Sequence, residues 1–420
     1  MEAPAAPLLS RPSARSWIRA HRLEIALLAG SFAALAAFSG PRFYRQSHAP
    51  HFIYQADAWL HGQLHLRVHP PDGNDWARVG DRWYVSFPPG PALLMLPGVA
   101  LFGYEYVDVS FTVAFAACNV LLFFLVLERL RRSGDSSRSR PENAVLALLF
   151  AFGTIAFSCS VRGEVWFTAE VLGVTGTCLY LLAAHRAAHP FLAGAAWSFA
   201  AVTRTPLAFS LVFFLAEVIA GEATLAEGAR RAGTWRDAAR WRKVALFALG
   251  ALPLVAFAGL TNWARFGSAA DFGHAHFWNN RVNADIRRYG LFSLHYMGKQ
   301  LHAAFTRMPR LENGGLTYHP DGMSLFVTTP LFALLLWPRA RPHLHLALWL
   351  TVAATALPGF LYQNTGYVQF GYRFSLDYTP YLFLLLAVGA RPMSRAFWAL
   401  GLFGVAVNAW GALVFKGGVT

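Results

Sequence analysis

PPGPALLMLPGVALFG, residues 88–103, decides how this chain is threaded, because its crossing or not crossing a membrane sets the side of every later segment. The run is apolar throughout, yet it carries Pro88, Pro89, Pro91 and Pro97, each lacking a backbone donor, and it is short for a full crossing. Suppose that it and the first apolar run, LEIALLAGSFAALAAFSG (23–40), both spanned. The next run, VDVSFTVAFAACNVLLFFLVLE (107–128), would then end outside, and every later arginine-rich loop would follow it there. Those loops are ERLRRSGDSSRSR (128–140), HRAAH (185–189), RRAGTWRDAARWRK (230–243), RAR (339–341) and the pair Arg391 and Arg395. Short basic loops stay on the inner side of a membrane. We therefore read 88–103 as a proline-broken helix that dips into or lies on the outer leaflet. The chain then has about eleven spans rather than twelve.

Composition agrees with a membrane protein. The 420 residues are 55% hydrophobic, 15% aromatic and only 14% charged, and repeated apolar runs have the length of a bilayer-spanning helix. Mean hydropathy is +0.37. A soluble helical protein would alternate apolar and charged faces every 3.6 residues, whereas AVLALLFAFGTIAFSCS (144–160) is apolar all round. The net charge of +14 lies in the short loops and in the N-terminal Arg11, Arg15, Arg19 and Arg22, so it reports orientation and not a nucleic-acid partner. The expected organisation is a basic inner N-terminus, 1–22, and one membrane domain, 23–420. After the first span, the expected spans are 107–128, 143–160, 168–184, 191–203, 206–220, 244–263, 323–338, 343–361, 377–390 and 396–415. Cys118, Cys159 and Cys178 fall within spans at unrelated spacings and read as packing residues.

Orientation leaves four outer segments, 41–106, 161–167, 264–322 and 362–376, and these hold most of the unusual polar residues. The first is too long to be a mere connection. Within it, HFIYQADAWLHGQLHL (51–66) places Ile53, Asp57, Leu60 and Leu64 on one helical stripe, so Asp57 is expected to face a protein cavity, where a carboxylate suits general-base work. An exposed or capping aspartate is the alternative. His61, His65 and His69 recur every four residues, but Pro70 and Pro71 follow at once and no acid joins them, so no metal site is assigned. Asp72, Asp75 and Asp81 read as turn residues beside Gly73 and Gly80.

VRGEVWFTAE (161–170) offers Arg162 and Glu164, with Glu170 one turn inside the next span, where an acid is costly unless partnered. LFSLHYMGKQLHAAF (291–305) carries an apolar stripe, Leu291, Leu294, Gly298, Leu301 and Phe305, and reads as an in-plane helix with Lys299 off the stripe. Lys299 and the arginines around it suit either a lipid-linked phosphate or ordinary anionic headgroups. QNTGYVQFGYRFSLDYTPYL (363–382) sets Arg373 and Asp377 four residues apart, the spacing of a helical salt bridge. Left free, Arg373 would join Arg204 of the TRTP turn (203–206) as a counter-charge for a phosphate leaving group.

Taken together, one N-terminal span, the long outer loop with its aspartate, WYVSFPPGPALLMLP (83–97), RGEVWF (162–167), TRTP and QFGYRFSLDYTP (369–380) resemble the GT-C superfamily of membrane glycosyltransferases. The resemblance is to the bacterial branch related to protein mannosyltransferases and aminoarabinose transferases. It implies an all-α polytopic fold with interfacial helices in the first outer loop, and a retained first helix in place of a cleaved signal peptide. The implied localisation is a bacterial inner membrane with the N-terminus cytoplasmic. The implied reaction is an inverting single displacement, passing a hexosyl or pentosyl unit from a polyprenyl-phosphate donor to a glycan, lipid or protein acceptor outside. On that reading Asp57 is the base, Glu164 the second catalytic acid, and Arg204, Arg373 and Arg162 stabilise the departing phosphate, with Lys299, Glu170 and Asp377 around the donor. The chain departs from relatives in which an acid pair or an acid followed by lysine precedes the Pro-Pro, since Ala58 follows Asp57 and Ser86-Phe87 precede Pro88. No cofactor is assigned. A divalent metal is left open, because some relatives use one and the outer loops lack Asp-x-Asp. A lipid or solute transporter, or a silent scaffold of the same fold, are the competing readings; the first predicts inverted repeats and ionisable groups at midplane, and neither is found.

Overall fold

The computed structural model describes residues 14–220, 237–278, 280–312, 314–340 and 342–415. Arg11, the 230–236 part of the basic loop and Arg341 lie outside the described residues. Among those described, the chain is almost entirely helical, with two small two-stranded hairpins.

Among the helices are α1 (Arg22–Ser39), α2 (His51–Leu60), α3 (Gly90–Phe102), α4 (Asp108–Arg132), α5 (Arg140–Phe152), α6 (Val165–Ala184), α7 (Pro190–Ala201), α8 (Leu211–Ala220), α9 (Ala238–Phe266), α10 (Leu344–Leu361), α11 (Thr379–Val388) and α12 (Arg395–Val414). Among the described residues six segments are long and apolar enough to cross a bilayer: those built on α1, α4, α6, α9, α10 and α12. The other expected spans, 143–160, 191–203, 206–220, 323–338 and 377–390, are shorter or broken helices. The first is interrupted after Phe152 and resumes at Ala156–Ser160, and 323–338 splits into Leu325–Thr328 and a 3₁₀ segment, Pro330–Leu336.

Local chemistry sets the boundaries. Ser139 caps α5 in a reciprocal box with Glu142, Asp237 caps α9 through Ala239 N at 2.9 Å, and Ser394 caps α12. Helix α4 ends on Arg129, Arg131 and Arg132, cations that complement its C-terminal dipole. Helix α6 is the centre of the bundle: 89% of its apolar window is buried inside the protein against 22% for α9, so α6 is enclosed while α9 leaves most of its surface to the surroundings. Helix α9 docks on α7 by a glycine exchange. A Cβ on Gly194 would sit 1.9 Å from the Phe247 carbonyl oxygen, and one on Gly250 would sit 2.0 Å from that of Phe191.

The basic loops gather at one end. Arg140 pairs with Glu24 at 2.6 Å, Asp135 with His185 at 2.8 Å and His343 at 3.6 Å, and Arg138 donates to the carbonyls of Leu386 and Arg391. At the other end Ser47 N donates to Asp108 at 2.8 Å, Val165 N to the Ala49 carbonyl at 3.0 Å, and Arg265 to the Val85 carbonyl at 2.9 Å. Residues 40–107 thus leave from and return to the same end. Helix α3, 13 residues with Pro97 inside, is about 20 Å long, well short of a hydrocarbon core of roughly 30 Å.

Within that loop the structure adds a hairpin absent from our sequence reading: β1 (Trp76–Val79) and β2 (Arg82–Val85), turning at Gly80-Asp81. Residues 291–305 also differ from expectation. Instead of one helix they form three short pieces, Leu294–Tyr296, Met297–Leu301 and His302–Thr306. Their buried face is Tyr296, Gln300, Ala303 and Ala304, with Gln300 donating to the carbonyls of Tyr362 (2.7 Å) and Asn364 (2.8 Å). Of the expected stripe, Leu294, Gly298, Leu301 and Phe305 face outward, Leu294 being 76% exposed, while Leu291 is half-buried.

Candidate functional site

A cavity of about 210 Å³ opens at the end opposite the basic loops. Its charged lining is Asp75, Arg204, Asp271, Arg373 and Asp377, and much of the rest is aromatic, including Phe87, Trp166, His274, Tyr362 and Phe374.

Asp75 is held at the root of the hairpin. It adopts a left-handed backbone (φ 58°), which aspartate tolerates better than most residues. Its carbonyl accepts the Ser86 hydroxyl at 2.7 Å, and its carboxylate accepts Trp166 Nε1–H at 2.9 Å. On either side, His51 bonds the Asn74 carbonyl at 2.9 Å and stacks on Trp76 with ring centroids 3.8 Å apart, while Trp76 donates to Asp72 at 2.9 Å. Burial pushes the Asp75 carboxyl above the usual carboxylate range, against the opposing hydrogen bond from Trp166 and the charge of Arg373. Burial likewise holds His274 and His51 down to about 4, so both rings are neutral at ordinary pH.

The two arginines arrive from distant segments. Arg204 follows α7 at the start of the 3₁₀ turn Thr205–Ser210 and grips Asp377 through two parallel bonds, Nε to Oδ1 at 3.0 Å and Nη2 to Oδ2 at 2.7 Å. Its Nη2 also lies 3.1 Å from Glu170. The turn is pinned from the other side, because Gly90 N donates to the Val202 carbonyl at 2.7 Å and a Cβ there would fall 2.2 Å from the Thr203 hydroxyl. That contact explains the glycine after Pro88-Pro89. Arg373, 5% exposed, lies 5.4 Å from the Phe167 and Phe374 ring centroids. Its Nε is buried without a hydrogen-bond partner, and Glu170 is 3.9 Å away. Glu170, Asp377, Arg204 and Arg373 thus form a cluster of balanced formal charge beside Asp75.

Of the residues singled out from sequence, Arg204, Arg373 and Asp377 line the cavity and Glu170 touches it through Arg204. The helical pairing of Arg373 with Asp377 does not form, since Asp377 is taken by Arg204 and 373–377 is a 3₁₀ turn. The other four lie elsewhere. Asp57 is buried on α2, but Leu60 of the same expected stripe is 43% exposed, Leu64 lies beyond the helix end, and Asp57 does not line the cavity. It accepts hydrogen bonds from Tyr104 (2.5 Å) and Arg67 (3.2 Å), which answers the cost of burying a carboxylate. Glu164 is bound by Arg162 at 2.8 Å and approached by His48 at 3.3 Å, and Arg162 also donates to the Phe415 carbonyl, so this pair clamps the N-terminal end of α6 to the C-terminal end of α12. Lys299 is exposed and off the cavity lining. The sequence reading missed Asp75, Trp166 and His274. The available signal was the alternation in WARV and RWYV around Gly80-Asp81, a hairpin pattern that gives the residue before it a fixed position.

The donor set does not suit a divalent cation. Asp377 is committed to Arg204, Glu170 lies between two guanidiniums, and Asp271 is taken by Gly273 N and His276. Among the described residues no group of three or more His, Cys, Asp or Glu side chains is gathered for a metal.

Fold and cavity define a polytopic helical membrane protein with a small, charged, aromatic-walled chamber at one end of the bundle. Among solved structures the chain is similar to ArnT from Cupriavidus metallidurans, bound to undecaprenyl phosphate, at 14% identity and a TM-score of 0.49, covering 94% of this chain and 64% of that one. It is similar also to the archaeal oligosaccharyltransferase AglB from Archaeoglobus fulgidus, in complex with an inhibitory peptide and a dolichol-phosphate, at 12% identity and a TM-score of 0.47, covering 95% and 56%. This chain spans about three fifths of the length of these proteins. No family model and no curated protein matches the sequence. With TM-scores below 0.5, the functional reading rests on the chain's own motifs and site.

Proposed function

We propose that the chain is a membrane glycosyltransferase of the GT-C type, transferring a sugar from a polyprenyl-phosphate donor to an acceptor at the outer face of a bacterial inner membrane, with its N-terminus inside. The observation that carries the reading is the convergence on a single aromatic-walled cavity of two guanidiniums, Arg204 and Arg373, and of Asp75, whose neighbours in the lining, Asp271 and Asp377, are held by other groups. Aromatic faces suit the apolar faces of a sugar ring, and guanidiniums suit a phosphate that gains charge as the glycosidic bond breaks.

In this scheme Asp75 takes the proton from the acceptor hydroxyl as its oxygen attacks the anomeric carbon, and the bond to the phosphate oxygen breaks with the electron pair leaving on phosphate. Raised proton affinity improves Asp75 as a base, and Trp166 fixes which carboxylate oxygen faces the cavity. Arg373, whose Nε lacks a partner, meets the departing phosphate first; Arg204 is already engaged and supplies charge from behind. Asp75 here takes the role that the motif resemblance assigned to Asp57. Asp57 and the Arg162–Glu164 pair hold the loop and helix end that frame the cavity.

The test supplies purified protein in liposomes with a panel of polyprenyl-phosphate sugars and, separately, sugar nucleotides, and follows release of free polyprenyl phosphate. Release from at least one lipid-linked sugar, dependent on an added acceptor, supports the reading. Turnover of sugar nucleotides alone contradicts it.

A further inference from the structure

A second cavity, about 500 Å³, lies at the basic-loop end, between the last turn of α4 and the segment after α6. The 20-residue α6 separates it from the outer chamber by about 30 Å. It is lined by Leu125, Arg129, Arg132, Leu182, His185 and Arg186, together with Glu128 and Ser133.

The acids near this cavity are already used. Glu128 is held by Arg131 at 2.8 Å and by Asn143 at 2.8 Å, and Asp135 is held by His185 at 2.8 Å and Arg186 at 3.2 Å. Arg186 is further occupied by the Ser133 carbonyl at 2.7 Å. The Arg129 and Arg132 side chains, by contrast, make no ion pair or hydrogen bond among the described residues, and Arg129 Nε is buried without a partner. A desolvated guanidinium nitrogen with no acceptor is an unfilled demand for an anion with several acceptor oxygens.

The lining changes character in the same direction on both helices. Leu125, Arg129 and Arg132 follow one another by about a turn along α4, and Leu182 precedes His185 and Arg186 on the neighbouring segment. Charge thus sits at the helix ends and apolar surface one turn nearer the middle of the bundle, which is the polarity of a phospholipid entering from the inner leaflet. The volume is that of an ordinary ligand pocket.

We propose that this cavity is a binding site for a phosphate group carried by an anionic lipid of the inner leaflet, with Arg129 and Arg132 on the phosphate and Leu125 and Leu182 against the first carbons of the chain. Basic pockets between membrane helices on this side have the chemistry for such headgroups. The site is independent of the chemistry at the outer end.

Native mass spectrometry of the full chain, released from detergent with phosphatidylglycerol, phosphatidylcholine or inorganic phosphate added, tests this on folded protein. Phosphatidylglycerol should be retained in preference to phosphatidylcholine, and R129Q/R132Q should lower its retention about tenfold or more. R395Q removes an exposed charge from the same end of the bundle but lies off the cavity, and should keep wild-type retention. Equal loss in R395Q would reduce the effect to general surface charge and overturn the proposal. So would equal retention in R129Q/R132Q and wild type, or inorganic phosphate alone displacing the lipid and binding in its place, which would make the site one for soluble phosphate.

Discussion

The cluster around Arg204 can be broken in a way that separates a matched buried charge network from a set of independent contacts. Replacing Arg204 by Met strands the Asp377 carboxylate and leaves Glu170 with Arg373, 3.9 Å away. Removing one partner of a buried pair costs about 3–5 kcal/mol, and two acids losing the same partner place this variant at the upper end. Asp377→Leu should cost about 3 kcal/mol by the same rule, because Arg204 still has Glu170 within 3.1 Å. The double variant puts apolar side chains against one another and should be less destabilised than the sum of the singles by about 1–3 kcal/mol. Since about 1.4 kcal/mol is a tenfold change in an equilibrium, the folded-to-unfolded ratio shifts by roughly two powers of ten for Asp377→Leu and roughly three and a half for Arg204→Met. Titration with SDS in mixed micelles, followed by tryptophan fluorescence, reads these differences as displaced midpoints. Costs that add to within about 0.5 kcal/mol would refute the coupling, as would a wild-type midpoint for Arg204→Met.

Trp166→Phe keeps the ring but removes the hydrogen bond to Asp75. That bond favours the charged carboxylate, so its loss raises the proton affinity further; turnover should fall on the acid side, recover as pH rises, and leave the alkaline side unchanged, as read in a pH–rate profile. Gly194→Val drives a side chain into the Phe247 carbonyl and should destabilise the bundle by about 1–3 kcal/mol or more, whereas Gly30→Ala, with nothing within 4 Å of the new methyl, should be neutral or gain about 0.5–1 kcal/mol, both measured in the same SDS titration.

Much of the threading was legible, and the reasons are physical. Arginines at the ends of apolar runs report the inner face, and the structure gathers 128–140, 185–189 and the segment around 391 at one end of the bundle. Arg204, Arg373 and Asp377 were legible for a related reason: charges bordering membrane spans are costly, so they persist only where they are partnered or used. The choice between Asp57 and Asp75 was not legible from helical periodicity. Periodicity placed Asp57 on a buried face but could not say what it faced, because Arg67 reaches it only after the chain reverses beyond α2 at Gly62 (φ 72°) and Tyr104 comes from beyond α3. Asp75, the proposed base, is oriented by Trp166, 91 residues away, and no local pattern contains that bond. The 291–305 stripe misled in a different way, since Leu294 and Leu301 face outward while Gln300 binds the chain at Tyr362 and Asn364 and Tyr296 binds the carbonyls of Asp285 and Gly290.

The most direct measurement compares polyprenyl-phosphate release by Asp75→Asn and Asp57→Asn, each normalised to folded protein by gel filtration. The cavity geometry predicts that Asp75→Asn loses about 10²–10⁴-fold, the usual worth of a general base, while Asp57→Asn is less stable but turns over at the wild-type rate. Loss of turnover in Asp57→Asn with full activity in Asp75→Asn would contradict the assignment of the catalytic carboxylate to the hairpin.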